Sequence, residues 1–431
     1  MRILVETGDY DLMNMGDVSM LQVAVSRLHA LWPDATIQVV TRSPERLSRF
    51  CPCATPLTLH AAPGWYKQSL RTRLYAALPS ITWKVIAQTD RSTRKYLPPL
   101  AHQVDLWNAA LHGDKTHFLQ ADLVVATGGG YLADSFAIPA LLVLDTLGIA
   151  ARLGKPIALF GQGLGPWQQP ALYALARQVL PLADLIALRE SRFSKPLLEE
   201  LGVAAERTAV TGDDAISLAY DTRQACLGQG IGVNLRVAAY AEVNAALVDM
   251  VRDTLHQATH TYNASLLPVP IATGSVENNT FGMQNDMQSI RQLIGKPEGL
   301  ATNQRFDRPE EIIAQISECR IVVTGSYHAA VFALAQGIPT VCLTKSRYYT
   351  HKFLGLADQF GAGCKVLFLD DAEIRAKLAG AIAHAWDSAE AVRPQLLAAA
   401  QRQVVAGQSA YERLFHLVSS RMECRAKQAT H

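Results

Sequence analysis

The sequence predicts an α/β fold made of two Rossmann-like parallel-sheet domains that face a central cleft. Three observations predict it. Short apolar runs alternate with helical patterns along most of the chain. Several of those runs end in glycine-rich turns, the place where open α/β sheets bind ligands. A ten-residue pattern also recurs: Ala121 to Gly130 and Cys319 to His328 are each an apolar strand followed by Thr-Gly.

Arg2 to Val5 reads as the first strand, followed by a loop rich in glycine and aspartate that ends at Asp17. Val18 to Leu31 then reads as an amphipathic helix, with Leu21, Val25, Leu28 and Leu31 on one face and Asp17 as its N-cap. Ala35 to Val40 completes a parallel βαβ opening. Asn14 and Gly16 lie in the loop at the carboxyl end of the first strand, where a ligand is expected.

From Pro63 to about Gln120 the alternation lapses. Seven Lys or Arg residues and one acid lie between Trp65 and Tyr96, interleaved with five Trp or Tyr residues. This reads as a helical basic insertion over about 63–118. It is either a solvated helical face or a peripheral contact through 65–96 with a membrane and a lipid-linked substrate.

The rhythm resumes at Ala121 to Ala126, which runs into Gly128, Gly129 and Gly130 and then a helix through Ile149. Neither a phosphate-binding Gly-Lys-Ser/Thr nor the dinucleotide glycine spacing follows. Pro156 to Phe160 is a strand ending in a second glycine mouth, Gly161 to Pro166, which contains Gln162. Leu185 to Leu188 is a strand that delivers Arg189, and Gly202 to Asp214 reads as the hinge. The expected domains are therefore 1–214 and 215–431.

In the second half Gly230 to Asn234 is a strand leading to Arg236, and a helix is expected over about 242–259. A strand over 265–269, a polar loop over 272–285 and a helix over 309–319 follow, and residues from 372 onward read as helices. The organising stretch is Thr324 to Leu343: Gly325 and Ser326 break an apolar strand, a small-residue helix follows, and Gly337-Ile338-Pro339 ends it before another strand. A strand, a tight turn and a helix N-terminus form a ready anion site. His328 sits at that mouth, either as a proton carrier near neutral pH or as a cap on its own helix.

With 40 Lys plus Arg against 38 Asp plus Glu, the charge balance argues against a general nucleic-acid binder. Apolar residues at 49% and charged ones at 18% describe packed cores. Seven scattered cysteines, Cys51 and Cys53 among them, suit neither a disulfide framework nor a zinc site and read as reduced thiols. The apolar stretch Ile138 to Leu153 is too short and too polar for a membrane span. A soluble, cytoplasmic protein is expected, with no metal and no bound cofactor.

Asn14-Met-Gly-Asp17, Gly128 to Gly130, Gly161 to Pro166, Arg189-Glu190-Ser191, Thr211-Gly-Asp-Asp214 and Ser326-Tyr-His328 occur in one order over residues 1 to about 365. That order resembles the polysaccharide pyruvyl transferase family. The resemblance implies a GT-B arrangement and transfer of a pyruvyl group from phosphoenolpyruvate onto two hydroxyls of a sugar, giving a cyclic ketal. It also implies a sugar or lipid-linked oligosaccharide acceptor and work at the inner face of the membrane.

Under that resemblance His328 is the acid/base and Arg236 holds the donor's anionic groups, with Arg347 and Lys352 beside it. Asn14, Asp17, Gly128 to Gly130 and Gln162 then face the sugar, and Gly16, Arg189, Ser326 and Tyr327 complete the site. Many family members carry arginine two residues before the histidine, where this chain has Ser326. The same fold also serves nucleotide-sugar glycosyltransferases, and a non-catalytic role in polysaccharide assembly is a third reading. No acid occupies Ala329 to Ala335, where a ribose-binding Glu is common in such glycosyltransferases.

Overall fold

The computed structural model describes residues 1–57, 115–274, 285–295 and 306–429. The basic stretch over 65–96 and most of the polar loop over 272–285 lie outside the described residues.

The first sheet has seven strands: β1 (Arg2–Glu6), β2 (Thr36–Val40), β3 (Ala54–Leu57), β4 (Leu123–Ala126), β5 (Ile157–Gln162), β6 (Leu185–Leu188) and β7 (Thr208–Val210). Their spatial order is β3-β2-β1-β4-β5-β6-β7, and every pair is parallel. The order reverses between β1 and β4, so the loops after these two strands diverge and leave a crevice. The second sheet comprises β8 (Gly230–Asn234), β9 (Leu266–Pro268), β10 (Cys319–Thr324), β11 (Thr340–Thr344) and β12 (Cys364–Phe368). It is also parallel, in the order β12-β11-β10-β8-β9, and reverses between β8 and β10.

The helices of the first half are α1 (Met15–Leu31), α2 (Pro44–Phe50), α3 (Lys115–Gln120), α4 (Ala137–Arg152), α5 (Pro170–Val179) and α6 (Ser194–Glu200). Those of the second are α7 (Ala215–Asp221), α8 (Ala245–Tyr262), α9 (Asp286–Ile294), α10 (Pro309–Ser317), α11 (Tyr327–Ala335), α12 (Arg347–Phe360) and α13 (Ile374–Ala429). The apolar stretch that begins at Ile138 falls in α4. All of its residues from Pro139 to Ala150 are buried, within a core that also takes in β1, β4 and β5. A helix apolar all round needs such a setting.

Two compact units result, and neither is continuous. The first holds 1–12, 24–211 and 407–431; the second holds 13–23 and 212–406. The expected cut after residue 214 thus differs from the observed division at three places. The loop that ends at Asp17, with the start of α1, belongs to the second unit because its backbone pairs there: the Met15 N–H donates to the Ile271 carbonyl at 2.8 Å and the Thr273 N–H to the Met13 carbonyl at 3.1 Å. The start of α1 also differs. Asn14, rather than Asp17, caps it, its Oδ1 accepting from the Gly16 N–H at 3.0 Å.

The C-terminal residues form one 56-residue helix rather than several, and its last part returns to the first unit. There Tyr411 stacks on Phe160 of β5 with ring centroids 3.7 Å apart, and Trp32 meets Phe415 at 5.2 Å. Tyr411 is 1% exposed, so its truncation leaves a cavity the helix cannot refill. Tyr411→Ala is expected to cost about 3–5 kcal/mol, read as a lowered midpoint in chemical denaturation; an unchanged midpoint would mean that this part of α13 adds nothing to the first unit.

Candidate functional site

In the second unit, β8 and β10 end side by side at the point where strand order reverses, and the chain places Arg236 just past one and His328 just past the other. The turn is tight. A Cβ on Gly325 would stand 2.9 Å from Leu235 Cδ1 and 3.2 Å from the Arg236 nitrogen. Thr324 braces it, its Oγ1 accepting from the Ser326 N–H at 2.8 Å. Ser326 is the N-cap residue of α11 and its side chain makes no capping bond. His328 therefore lies inside the first turn of α11 and does not cap it.

His328 is 4% exposed. Its Nε2 is buried without a hydrogen-bond partner, and two carboxylates flank it: Asp213 Oδ2 at 3.7 Å and Asp17 Oδ1 at 4.0 Å. The two differ in access, for the Asp213 side chain is fully buried and that of Asp17 is 20% exposed. Asp213 is also fixed in direction, since its Oδ1 accepts from the Ala215 N–H at 3.0 Å. Gly16 forms the floor. A Cβ there would lie 2.0 Å from ring atoms of His328, so only glycine lets the ring sit where it does. Tyr327 crosses the ring edge-on with centroids 5.3 Å apart. Among the described residues no group of three His, Cys, Asp or Glu is placed to hold a metal ion.

Arg236 plays a part that its sequence position did not reveal. It is buried and ion-paired with Asp286 at 2.9 Å. Burial disfavours the guanidinium charge, but Asp286, Tyr240 and Tyr349 more than offset this and raise its pKa above the ordinary arginine value. Asp286 Oδ2 also accepts from Asn234 Nδ2 at 2.9 Å and from the Ile271 and Ala272 N–H groups at 2.8 and 2.9 Å. Ile271 in turn holds Met15. The Arg236–Asp286 pair is thus linked, through residues 271–272, to the loop that carries Gly16 and Asp17.

Arg347 and Lys352 lie on α12. Arg347 is exposed at the first helical position. Lys352 turns inward, with Nζ 2.5 Å from the Tyr348 hydroxyl and 5.2 Å from the Tyr327 ring centre.

The remaining expected residues lie in the first unit. The Gly163 N–H donates to the Gly129 carbonyl at 3.1 Å and the Arg189 N–H to the Gln162 carbonyl at 3.0 Å, so the two glycine mouths and Arg189 adjoin. Two of their glycines make room for neighbouring side chains. A Cβ on Gly129 would lie 2.4 Å from the Tyr131 ring, and one on Gly163 would lie 2.5 Å from Arg189 Nε. Gln162 is fully buried, its Nε2 donating to the Thr127 carbonyl at 2.6 Å and to the Tyr131 hydroxyl at 3.0 Å. Gly128 begins this turn, directly after Thr127, and Gly130 leads on to Tyr131.

Two residues emerge that the sequence reading did not select. Asp213 was visible only as part of Thr211-Gly-Asp-Asp214 at a strand end. Glu6 ends β1 at the reversal point of the first sheet, and burial raises its carboxyl to about 7 despite hydrogen bonds from Thr146 and Tyr10. The folded state holds this proton more tightly than the unfolded chain. The resulting stability is complete below about pH 4.5 and is lost as pH rises through about 7. Glu6→Gln should therefore stabilise the protein at pH 8 by up to about 3 kcal/mol and leave it near wild type at pH 4.5; equal effects at both pH values in denaturant titrations would contradict this. Gly16→Ala should displace the His328 ring and abolish activity while far-ultraviolet circular dichroism stays native. Full activity would mean the ring position is immaterial.

The sequence matches the polysaccharide pyruvyl transferase family over residues 14–347, and the chain belongs to that family. No curated protein matches it. Solved structures show the same GT-B type of fold at low identity. A putative UDP-N-acetylglucosamine 2-epimerase from Listeria monocytogenes is 13% identical with a TM-score of 0.58, covering 98% of this chain and 96% of its own. The UDP-GlcNAc 2-epimerase of Neisseria meningitidis, bound to UDP-GlcNAc, is 12% identical with a TM-score of 0.56, covering 97% and 100%. A glycosyltransferase from Rickettsia africae is 11% identical with a TM-score of 0.51, covering 97% and 98%.

Proposed function

We propose that this family member transfers the pyruvyl carbons of phosphoenolpyruvate onto two hydroxyls of a sugar destined for a polysaccharide, closing a cyclic ketal. One observation carries the reading: a buried imidazole with an unpartnered Nε2 stands between two carboxylates at a helix N-terminus on a sheet's reversal point. An enol phosphate needs a proton delivered to its methylene carbon, and the cation so formed is trapped by a hydroxyl. His328 is the acid in this scheme. An imidazolium there has Asp213 and Asp17 at ion-pair range.

The donor carries a carboxylate and a phosphate, and both must be met by positive charge or by N–H groups. The first turn of α11 supplies backbone N–H groups without intrahelical partners, the usual seat of a phosphate. Ser326 is small and offers no charge, so the helix terminus carries more of the task. Lys352, against Tyr327 and Tyr348, is the cation assigned to the donor. Arg236, held by Asp286 just past β8, adds positive charge beside the turn. The Neisseria meningitidis epimerase of the same fold is bound to UDP-GlcNAc, and a glycosyl transfer by this chain is the outcome to be tested against.

Phosphate release from phosphoenolpyruvate should depend on an added β-linked hexose and fall by about 10²–10⁴-fold in His328→Ala. No release by the wild-type protein with any acceptor, together with saturable binding of a nucleotide sugar, would overturn the reading.

A further inference from the structure

The two carboxylates beside His328 differ in access, and that difference assigns them different tasks. We propose that Asp17 is the second proton carrier of the site, and that Asp213 is a positioning residue which holds the imidazole. The inference rests on the pyruvyl-transfer reading above.

The proton balance of that reaction defines what is needed. His328 gives the Nε2 proton to the methylene carbon of the enol phosphate, which becomes a methyl group, and C2 becomes cationic. The first sugar hydroxyl adds to C2, and its proton passes to the Asp17 carboxylate. The C2–O bond to phosphate breaks, and the leaving phosphate takes the proton from Asp17. The second hydroxyl adds to the new cation at C2, and its proton returns to His328 Nε2. The ketal and hydrogen phosphate are released with both side chains in their starting states. Two hydroxyl protons leave, one destined for the methyl group and one for phosphate, and two carriers keep these routes apart.

Geometry decides which carboxylate is which. Nε2 is the buried, unpartnered atom to which both are aimed. Asp213 is fully buried, and one of its oxygens is committed to the Ala215 N–H. It cannot reach a sugar hydroxyl. Asp17, by contrast, is 20% exposed and lies 4.0 Å from Nε2. A carboxylate in the first turn of α1 is also favoured by the helix dipole, which would hold for a purely structural aspartate as well. The test must therefore separate chemistry from helix stability.

The experiment is chemical rescue, read as phosphate release from phosphoenolpyruvate with the β-linked hexose that the wild-type protein accepts. Asp17→Ala should lose about 10²–10³-fold in kcat at little changed KM for phosphoenolpyruvate, with Asp17→Asn equally impaired as the isosteric control for folding. Added formate should restore Asp17→Ala by at least about 10-fold in a saturable manner, because the partly exposed site admits a small carboxylate that can take the proton. Asp213→Ala should not respond to formate, and Asp213→Asn, which keeps an acceptor for the Ala215 N–H, should lose kcat rather than KM. Wild-type kcat in Asp17→Asn, or an Asp17→Ala protein deaf to formate, overturns the inference while the donor reading stands. A wild-type protein that releases no phosphate overturns the donor reading, and the role of Asp17 falls with it.

Discussion

The seat of one imidazole ring constrains much of the second unit. His328 lies against Gly16 so closely that a single methyl group would displace it. Three separated segments must converge to make that seat: the loop after β1, the turn after β7 and the turn after β10. The chain meets this demand by sending residues 13–23 out of the first unit and pairing them with residues 271–273 of the second. A discontinuous unit follows directly from the need to bring Gly16 and Asp17 to a histidine more than 300 residues away in sequence.

The buried ion pair extends the same logic. Burying Arg236 and Asp286 carries a desolvation cost that a lone contact rarely repays. Asp286 here also satisfies two backbone N–H groups and the Asn234 amide, so the pair acts as a node rather than a bridge. The node fixes residues 271 and 272, and they fix Met15 next to Gly16. Arg236 can thus matter for function through the position of His328 as well as through any anion. Loss of the charge and loss of the ring's seat would look alike in an activity assay, and only a structural readout of the loop separates them.

Much of this fold could be read from the sequence, because buried parallel strands leave apolar runs and glycine marks where they turn. Thr324 to Leu343 was read as strand, turn, helix and strand, and it is. The start of α1 was misread by three residues because Asn and Asp are both good caps and spacing does not rank them. The residues from 372 onward were read as several helices and form one, α13, which runs through Pro394. His328 was legible from its place at a helix mouth. Asp213 was not, since an aspartate after a strand is a common turn residue and only the packing shows it aimed at an imidazole. Gly129 shows the ambiguity of such turns: a glycine that admits a tyrosine ring and a glycine that admits a ligand have the same sequence signature.

The central claim is that the carbons of phosphoenolpyruvate end on the sugar. Carbon-13-labelled phosphoenolpyruvate, incubated with the protein and a β-linked hexose, would show by NMR where the label goes. The account predicts a labelled quaternary ketal carbon bonded through two oxygens to one sugar ring, absent with His328→Ala. Label left in unreacted donor or found only as free pyruvate, while a nucleotide sugar is consumed in its place, would contradict it.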